Sequence, residues 1–235
     1  MAQYGYLALM STGKQWIFAC TTCNRTLQDA IFNSTFYPNL FVMLLAFIVL
    51  AVVVTVLAFF STRREKKRAV EGMPTLTAVP LIAASTTIGI GIGGFIDGTF
   101  LHQILQWHEM LSNKIPVTTI VGKSINMFWD GIFHAFCFIV VVIGVQRLFI
   151  LHSRKGILWS PYLFVGGLLG GWGLFNMVEG IIDHHILRLH NVVENSVNHD
   201  IGNYTFLGFS LILILISWLL IRKGSKKNRH EINGR

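Results

Sequence analysis

Five stretches of this chain, at about 38–60, 77–105, 126–150, 157–187 and 204–222, are long and apolar enough to cross a hydrocarbon core of roughly 30 Å. Inside lipid every backbone N–H and C=O must find its partner within the protein, so apolar runs of this length fold as helices. The least interrupted is Tyr204–Ile216, which carries no charge before Arg222. Composition agrees: 53% of the residues are apolar and only 13% are charged, a balance that excludes an ordinary soluble domain. The expected fold is an all-α integral membrane protein with five transmembrane helices.

Charge placement sets an expected orientation. Of 19 basic residues, 14 fall in three segments: Arg63–Arg68, Arg147 with Arg154 and Lys155, and the tail from Arg222 to Arg235. Cytoplasmic loops retain Lys and Arg, and these alternating segments place the N-terminus outside and the C-terminus inside the cell membrane. The net charge of +8 is then a topology signal and an anchor to anionic lipid, and a nucleic-acid partner is not expected. The same orientation puts eight of eleven acids and seven of nine histidines on the outer side. The segments read in order as an outer tail at 1–37, a first helix at 38–60 acting as an uncleaved anchor, a basic link at 61–76, a membrane domain at 77–222 and a basic tail at 223–235. Cys20 and Cys23 in the outer tail are as compatible with a disulfide as with a metal or redox pair.

Within 77–222 the chain repeats itself. Residues Asp97–His108 and Glu179–His190 align without gaps at an offset of 82, both reading acid-Gly-x-x-x-His-x-Ile-Leu-x-x-His. Glycines at 89 and 91 upstream of the first copy match those at 171 and 173 upstream of the second. The expectation is a duplicated two-helix unit, its halves related by an axis along the membrane normal and its motifs face to face in a four-helix bundle. The glycines would allow close helix approach.

A carboxylate and two histidines repeated within apolar sequence point to a metal. On regular helices Asn176, Glu179, Asp183 and His190 share one stripe, and so do Asp130 and His134. Asp97 and His108 also nearly coincide, but His102 lies about 140° away, and eleven residues span roughly 16 Å. Metal bonds are about 2 Å long. Three solutions are open: two layers of site, a helix broken near the glycines, or a set divided between ligands and the groups that orient them. The expected inner layer is His102, His134 and His184 with Asp97, Asp130, Glu179 and Asp183 as ligands or orienters, and the upper layer is His108 and His190. His185 points off the stripe and ranks lower. Mixed imidazole and carboxylate donors suit zinc or iron, while Met110, Met127, Met177 and Cys137 nearby keep copper open.

Three motifs in order, Gly94-Phe95-Ile96-Asp97-Gly98 through His102-Gln103-Ile104-Leu105-Gln106-Trp107-His108, then Trp129-Asp130-Gly131-Ile132-Phe133-His134-Ala135-Phe136, then Gly171-Trp172-Gly173-Leu174-Phe175-Asn176 with Glu179-Gly180 and Asp183-His184-His185, carry a resemblance. Over about 79–222 the chain resembles a family of bacterial four-helix membrane proteins catalogued as a domain of unknown function. The resemblance implies a fold and a site, not a reaction, and points to the company of proteins that assemble copper oxidases.

Function is expected in one of three classes. The first is a membrane protein that binds a transition metal near the outer face and handles it, or supports a respiratory or other membrane complex. The second is a membrane-embedded metalloenzyme, a hydrolase or oxidoreductase with Glu179 as candidate base. The third is a metal-free accessory subunit or proton relay, in which Asp–His pairs hold helices together.

Overall fold

The computed structural model describes residues 24–70 and 76–233. Cys20 and Cys23 lie outside them. Helix α1 (Arg25–Ile31) is a capped helix of about two turns, with the Asn24 side chain accepting from the Thr26 and Leu27 N–H groups. Five long helices follow, each apolar enough to span a membrane. These are α2 (Phe36–Val70), α3 (Val79–Ile96) with a π-helical extension π1 (Asp97–Ile104), α4 (Ile120–His152), α5 (Pro161–Glu179) with the extension π2 (Gly180–Ile186), and α6 (His199–Asn233). No strand forms among the described residues.

Three of the five helices, α2, α4 and α6, overrun the apolar runs that announced them, while α3 with π1 and α5 with π2 lie within theirs. α4 starts at Ile120, six residues before the expected span, because Thr119 caps it by accepting from the Gly122 N–H. α2 and α6 continue past the hydrocarbon length into the basic segments, where helical backbone satisfies itself and Arg or Lys heads can reach headgroups.

α3 and α5 form the central pair, α4 flanks α3 and α6 flanks α5. Lipid tails offer no hydrophobic drive to helix association, so close packing of small residues has to supply it. The central crossing does this at Gly89 and Gly171: a Cβ at Gly89 would run into the Leu168 carbonyl, and one at Gly171 into the Thr86 carbonyl. The two contacts exchange partners at the 82-residue offset. The flanking contacts also correspond, for Gly91 meets Cys137 and Val141 of α4 while Gly173 meets Ser210 and Ile214 of α6. The second helix of each pair is therefore matched at an offset of 73, a correspondence of geometry whatever its origin.

α2 packs outside this row. Its Phe47 ring lies 5.7 Å from Phe133 and 6.3 Å from Phe136 of α4, and 5.9 Å from Phe175 of α5. At the basic end of the bundle, Thr77 pairs with Gly156 and Leu158 and ties the starts of α3 and α5 together. The candidate site lies at the opposite end, where π1, π2 and the starts of α4 and α6 meet.

Candidate metal centre

The π-helical extensions resolve the conflict between the motif and regular helix geometry. A π turn closes at i→i+5, so residues five apart come to lie one above the other. Asp97 and His102 are five apart, as are Glu179 and His184. In the structure His102 Nε2 is 3.0 Å from Asp97 Oδ2, and His184 Nε2 is 3.5 Å from Glu179 Oε1. The glycine after each acid permits the wide turn to pack: a Cβ at Gly98 would press on His134 and Phe133, and one at Gly180 on Leu207 and Phe206.

Each π segment ends in a reversal. Gln106 and Arg188 take left-handed conformations with φ of 51° and 49°. The Trp107 and Leu189 N–H groups then bond back to the Leu101 and Asp183 carbonyls. A non-glycine residue in that region costs about 1–2 kcal/mol, and the benefit is direction, since the reversal swings His108 and His190 back over the bundle. Each is then held by the other half. His108 Nδ1 donates to Val192 O at 2.9 Å and His190 Nδ1 donates to Met110 O at 3.0 Å. The two rings stack with centroids 4.6 Å apart and planes 8° from parallel.

A carbonyl or carboxylate only accepts, so these bonds fix the protons on Nδ1 and leave Nε2 as the lone-pair nitrogen. His102 is fixed in the same way, with Nδ1 donating to Asp130 Oδ1 at 2.9 Å. The Nε2 atoms of His102, His108, His184 and His190 converge with both oxygens of Asp97 and of Glu179. All are buried, and none makes a hydrogen bond of acceptable geometry. His102 Nε2 lies 3.0 Å from Asp97 Oδ2, a contact that needs either a proton on Nε2 or a cation shared by the two. Buried polar atoms are normally satisfied, so eight such atoms gathered in two overlapping groups call for a partner they could share.

A metal ion fits as that partner. The ligand atoms of Asp97, His102 and His108 lie within 4.8 Å of one another, and so do those of His108, Glu179, His184 and His190. Tetrahedral ligands sit about 3.4 Å apart at bond lengths near 2.1 Å, so small side-chain adjustments would close either group. His108 belongs to both groups, which leaves room for one ion or for two neighbouring ones. Burial, with the neighbouring imidazoles, holds His108 well below the usual imidazole pKa, in the neutral form a metal needs. Burial alone would lower His190 too, but the Glu179 carboxylate beside it raises it.

The remaining residues of the expected site divide. Asp130 is an orienter: its Oδ1 holds His102 and also accepts from the Met110 N–H at 3.0 Å. His134 stands apart, its Nδ1 donating to the Asp130 carbonyl of its own helix and its ring against Phe95 and Phe133. Asp183 is buried with Oδ1 unpartnered but belongs to neither group. His185 turns away and bonds the Gly180 carbonyl. The inner and upper layers merge into one cluster, because the reversals bring His108 and His190 down to His102 and His184.

Several supporting residues carry no signal in the motif. Asn203 Oδ1 accepts from the Val192 N–H, and buried Asn126 accepts from the Leu111 N–H and donates to the Ile115 carbonyl. Glu109 pairs with Lys123 beside them. An asparagine matched to Asp130 at the 73-residue offset was available as a signal; the backbone carbonyls that hold the histidines were not.

No curated protein and no solved structure matches the chain. A family model does: over residues 84–224, more than half its length, the chain matches the family described as Predicted membrane protein (DUF2243), and it belongs to that family.

Proposed function

We propose that this protein holds a resident transition-metal centre in its membrane domain, bound by His102, His108, His184, His190, Asp97 and Glu179, at the face opposite the basic clusters. By the charge rule that face is extracytoplasmic. The observation that carries the reading is the convergence of four buried imidazole Nε2 atoms with two buried carboxylates, none of these atoms making a hydrogen bond of good geometry, and three of the imidazoles being held from behind through Nδ1. Backing of this kind typically contributes 10–100-fold in metal affinity. A helix staple or a proton relay accounts for the contacts of His102 with Asp97 and of Glu179 with His184 and His190, but not for the Nε2 of His108, which has no hydrogen-bond partner and lies 4.0 Å from Asp97 Oδ1.

Neither ligand group contains a cysteine. Imidazole and carboxylate donors favour zinc or iron over copper(I). The ligands are almost wholly buried: His108 is 2% exposed and His190 0%. A carrier needs a shallow site from which the ion exchanges, so depth favours an ion that stays. The protein then serves either as a stable metalloprotein supporting a membrane complex or as a membrane-embedded metalloenzyme. The second is favoured by Asp183, a buried carboxyl beside the ligands whose Oδ1 has no hydrogen-bond partner. When bound, the ion would supply Lewis-acid polarisation, or electron transfer if it is iron.

Metal content by mass spectrometry on the detergent-purified protein tests the reading, beside a His102→Ala, His184→Ala variant that elutes as the same species. One or two equivalents of a single metal, lost in the variant, are expected. Absence of metal from both after reconstitution with zinc, iron and copper would overturn it.

A further inference from the structure

The two sides of the centre are closed unequally. On one side α2 lies across the groove between α4 and α5, and Phe47 fills it against Phe133, Phe136 and Phe175. The residues matched to Phe133 and Phe136 at the 73-residue offset are Phe206 and Phe209 of α6. They line a cavity of about 470 Å³ that no described helix fills. Trp107, Trp172 and Ile96 complete its walls, and Asp97, Asn176 and Thr205 are the polar residues in its lining. Trp107 and Phe209, at 41% and 42% exposure, stand at the rim on the lipid-facing side of the bundle.

One orphaned acceptor that the metal centre does not claim belongs to a residue of this lining: Asn176 Oδ1 is buried without a hydrogen-bond partner, and the residue is only 3% exposed. An unmade bond of this kind costs about 1–3 kcal/mol, which a donor entering the cavity would recover. The walls are apolar and rich in aromatic rings, and the cavity has the size of sites that take drug-sized organic molecules. Ions and strongly polar solutes gain nothing from such walls.

We propose that this cavity is a binding site for a neutral, bilayer-dissolved molecule with an apolar body and one hydroxyl head, which enters sideways from the lipid and donates its hydroxyl to Asn176 beside Asp97. The proposal deepens the metal-centre reading, since it puts the head of the molecule next to a ligand of that centre. α2 covers the matched groove, so the molecule enters on the α6 side, where Gly202, Thr205, Phe206 and Phe209 of α6 form one wall.

The test uses the full-length protein in proteoliposomes and a para-alkylphenol carrying a photoreactive diazirine in its chain, with labelled residues mapped by mass spectrometry. Competitors are para-pentylphenol and para-pentylanisole, which differ in the hydroxyl proton. Label is expected on the cavity walls, displaced by the phenol more than about fivefold better than by the anisole, the worth of one hydrogen bond. Gly202→Leu should abolish it, because a Cβ at Gly202 meets only ordinary contacts, the nearest at 3.6 Å from Val192, so the longer chain can grow into the cavity. Thr205→Trp at the rim is the second plug should the first fail to fold. Label spread over the lipid-facing surface, equal displacement by both competitors, or walls shielded by a neighbouring protein's helix would overturn the proposal. Metal content measured on the same samples separates the two readings. Bound metal without cavity label defeats only this inference, and cavity label without metal defeats only the centre.

Discussion

The two halves of the membrane domain share a backbone and differ in charge. Both contain an acid, a π turn, a left-handed residue and a returning histidine, and in both an α4 or α6 side chain accepts from the returning loop at 3.0 Å: Asp130 from Met110, Asn203 from Val192. Yet Asp130 also grips His102 Nδ1, whereas Asn203 spends its amide on Asn191 and His184 Nδ1 has no hydrogen-bond partner. One histidine is locked between two carboxylates, and the other is approached by a carboxylate at one nitrogen only. If the proposed centre holds an ion, the scaffold would offer a fixed coordination position on one side and a less constrained one on the other.

The largest expected effect tests whether the halves act as one site. His108 belongs to both ligand groups, so His108→Ala should remove all bound metal, whereas His184→Ala should leave a weakened remainder, both read as metal equivalents per chain. Equal and partial losses would mean two independent sites. Next, Asp130→Asn makes the halves alike. It should lower metal affinity about 10–100-fold in competition with a chelator, the usual cost of removing a group that backs a ligand. An unchanged affinity would show that the asymmetry is decorative.

A third comparison concerns the shared scaffold. Gly89→Ala and Gly171→Ala each drive a Cβ into a backbone carbonyl and should destabilise the bundle alike, by about 1–3 kcal/mol or more. Gly131→Ala, where nothing lies within 4 Å, should be neutral or stabilise by up to about 1 kcal/mol. Thermal unfolding in detergent reads all three, and a large difference between the first two would break the correspondence of the halves. The smallest effect is expected at Gln106→Gly and Arg188→Gly. Relief of the left-handed conformation should stabilise each by about 1 kcal/mol, equally on the two sides.

The spans and the residues at the centre were legible because they leave strong patterns: long apolar runs, and an acid and two histidines recurring at one offset. The way Asp97 and His102 meet was not. Regular helix arithmetic separates them by about 140°, and a π turn changes that period without altering hydrophobicity. His134 shows the opposite failure, since it shares a helical face with Asp130 yet spends its Nδ1 on its own helix. Asp130 was legible as ligand or orienter, and only the position of His102 decides between the two. The groups that hold His108 and His190 are main-chain carbonyls of Val192 and Met110, which no side-chain pattern announces.

The exchange of those two carbonyls bears on how the protein is made. Translation delivers π1 and α4 well before π2 and α6, so for a time the nascent chain carries Asp97, His102, His108 and Asp130 without the Val192 carbonyl to accept the His108 hydrogen bond or the second stripe to complete the cluster. The six residues proposed to hold an ion come together only when the last hairpin has been inserted, so on the metal-centre reading insertion itself would act as the gatekeeper for metal loading.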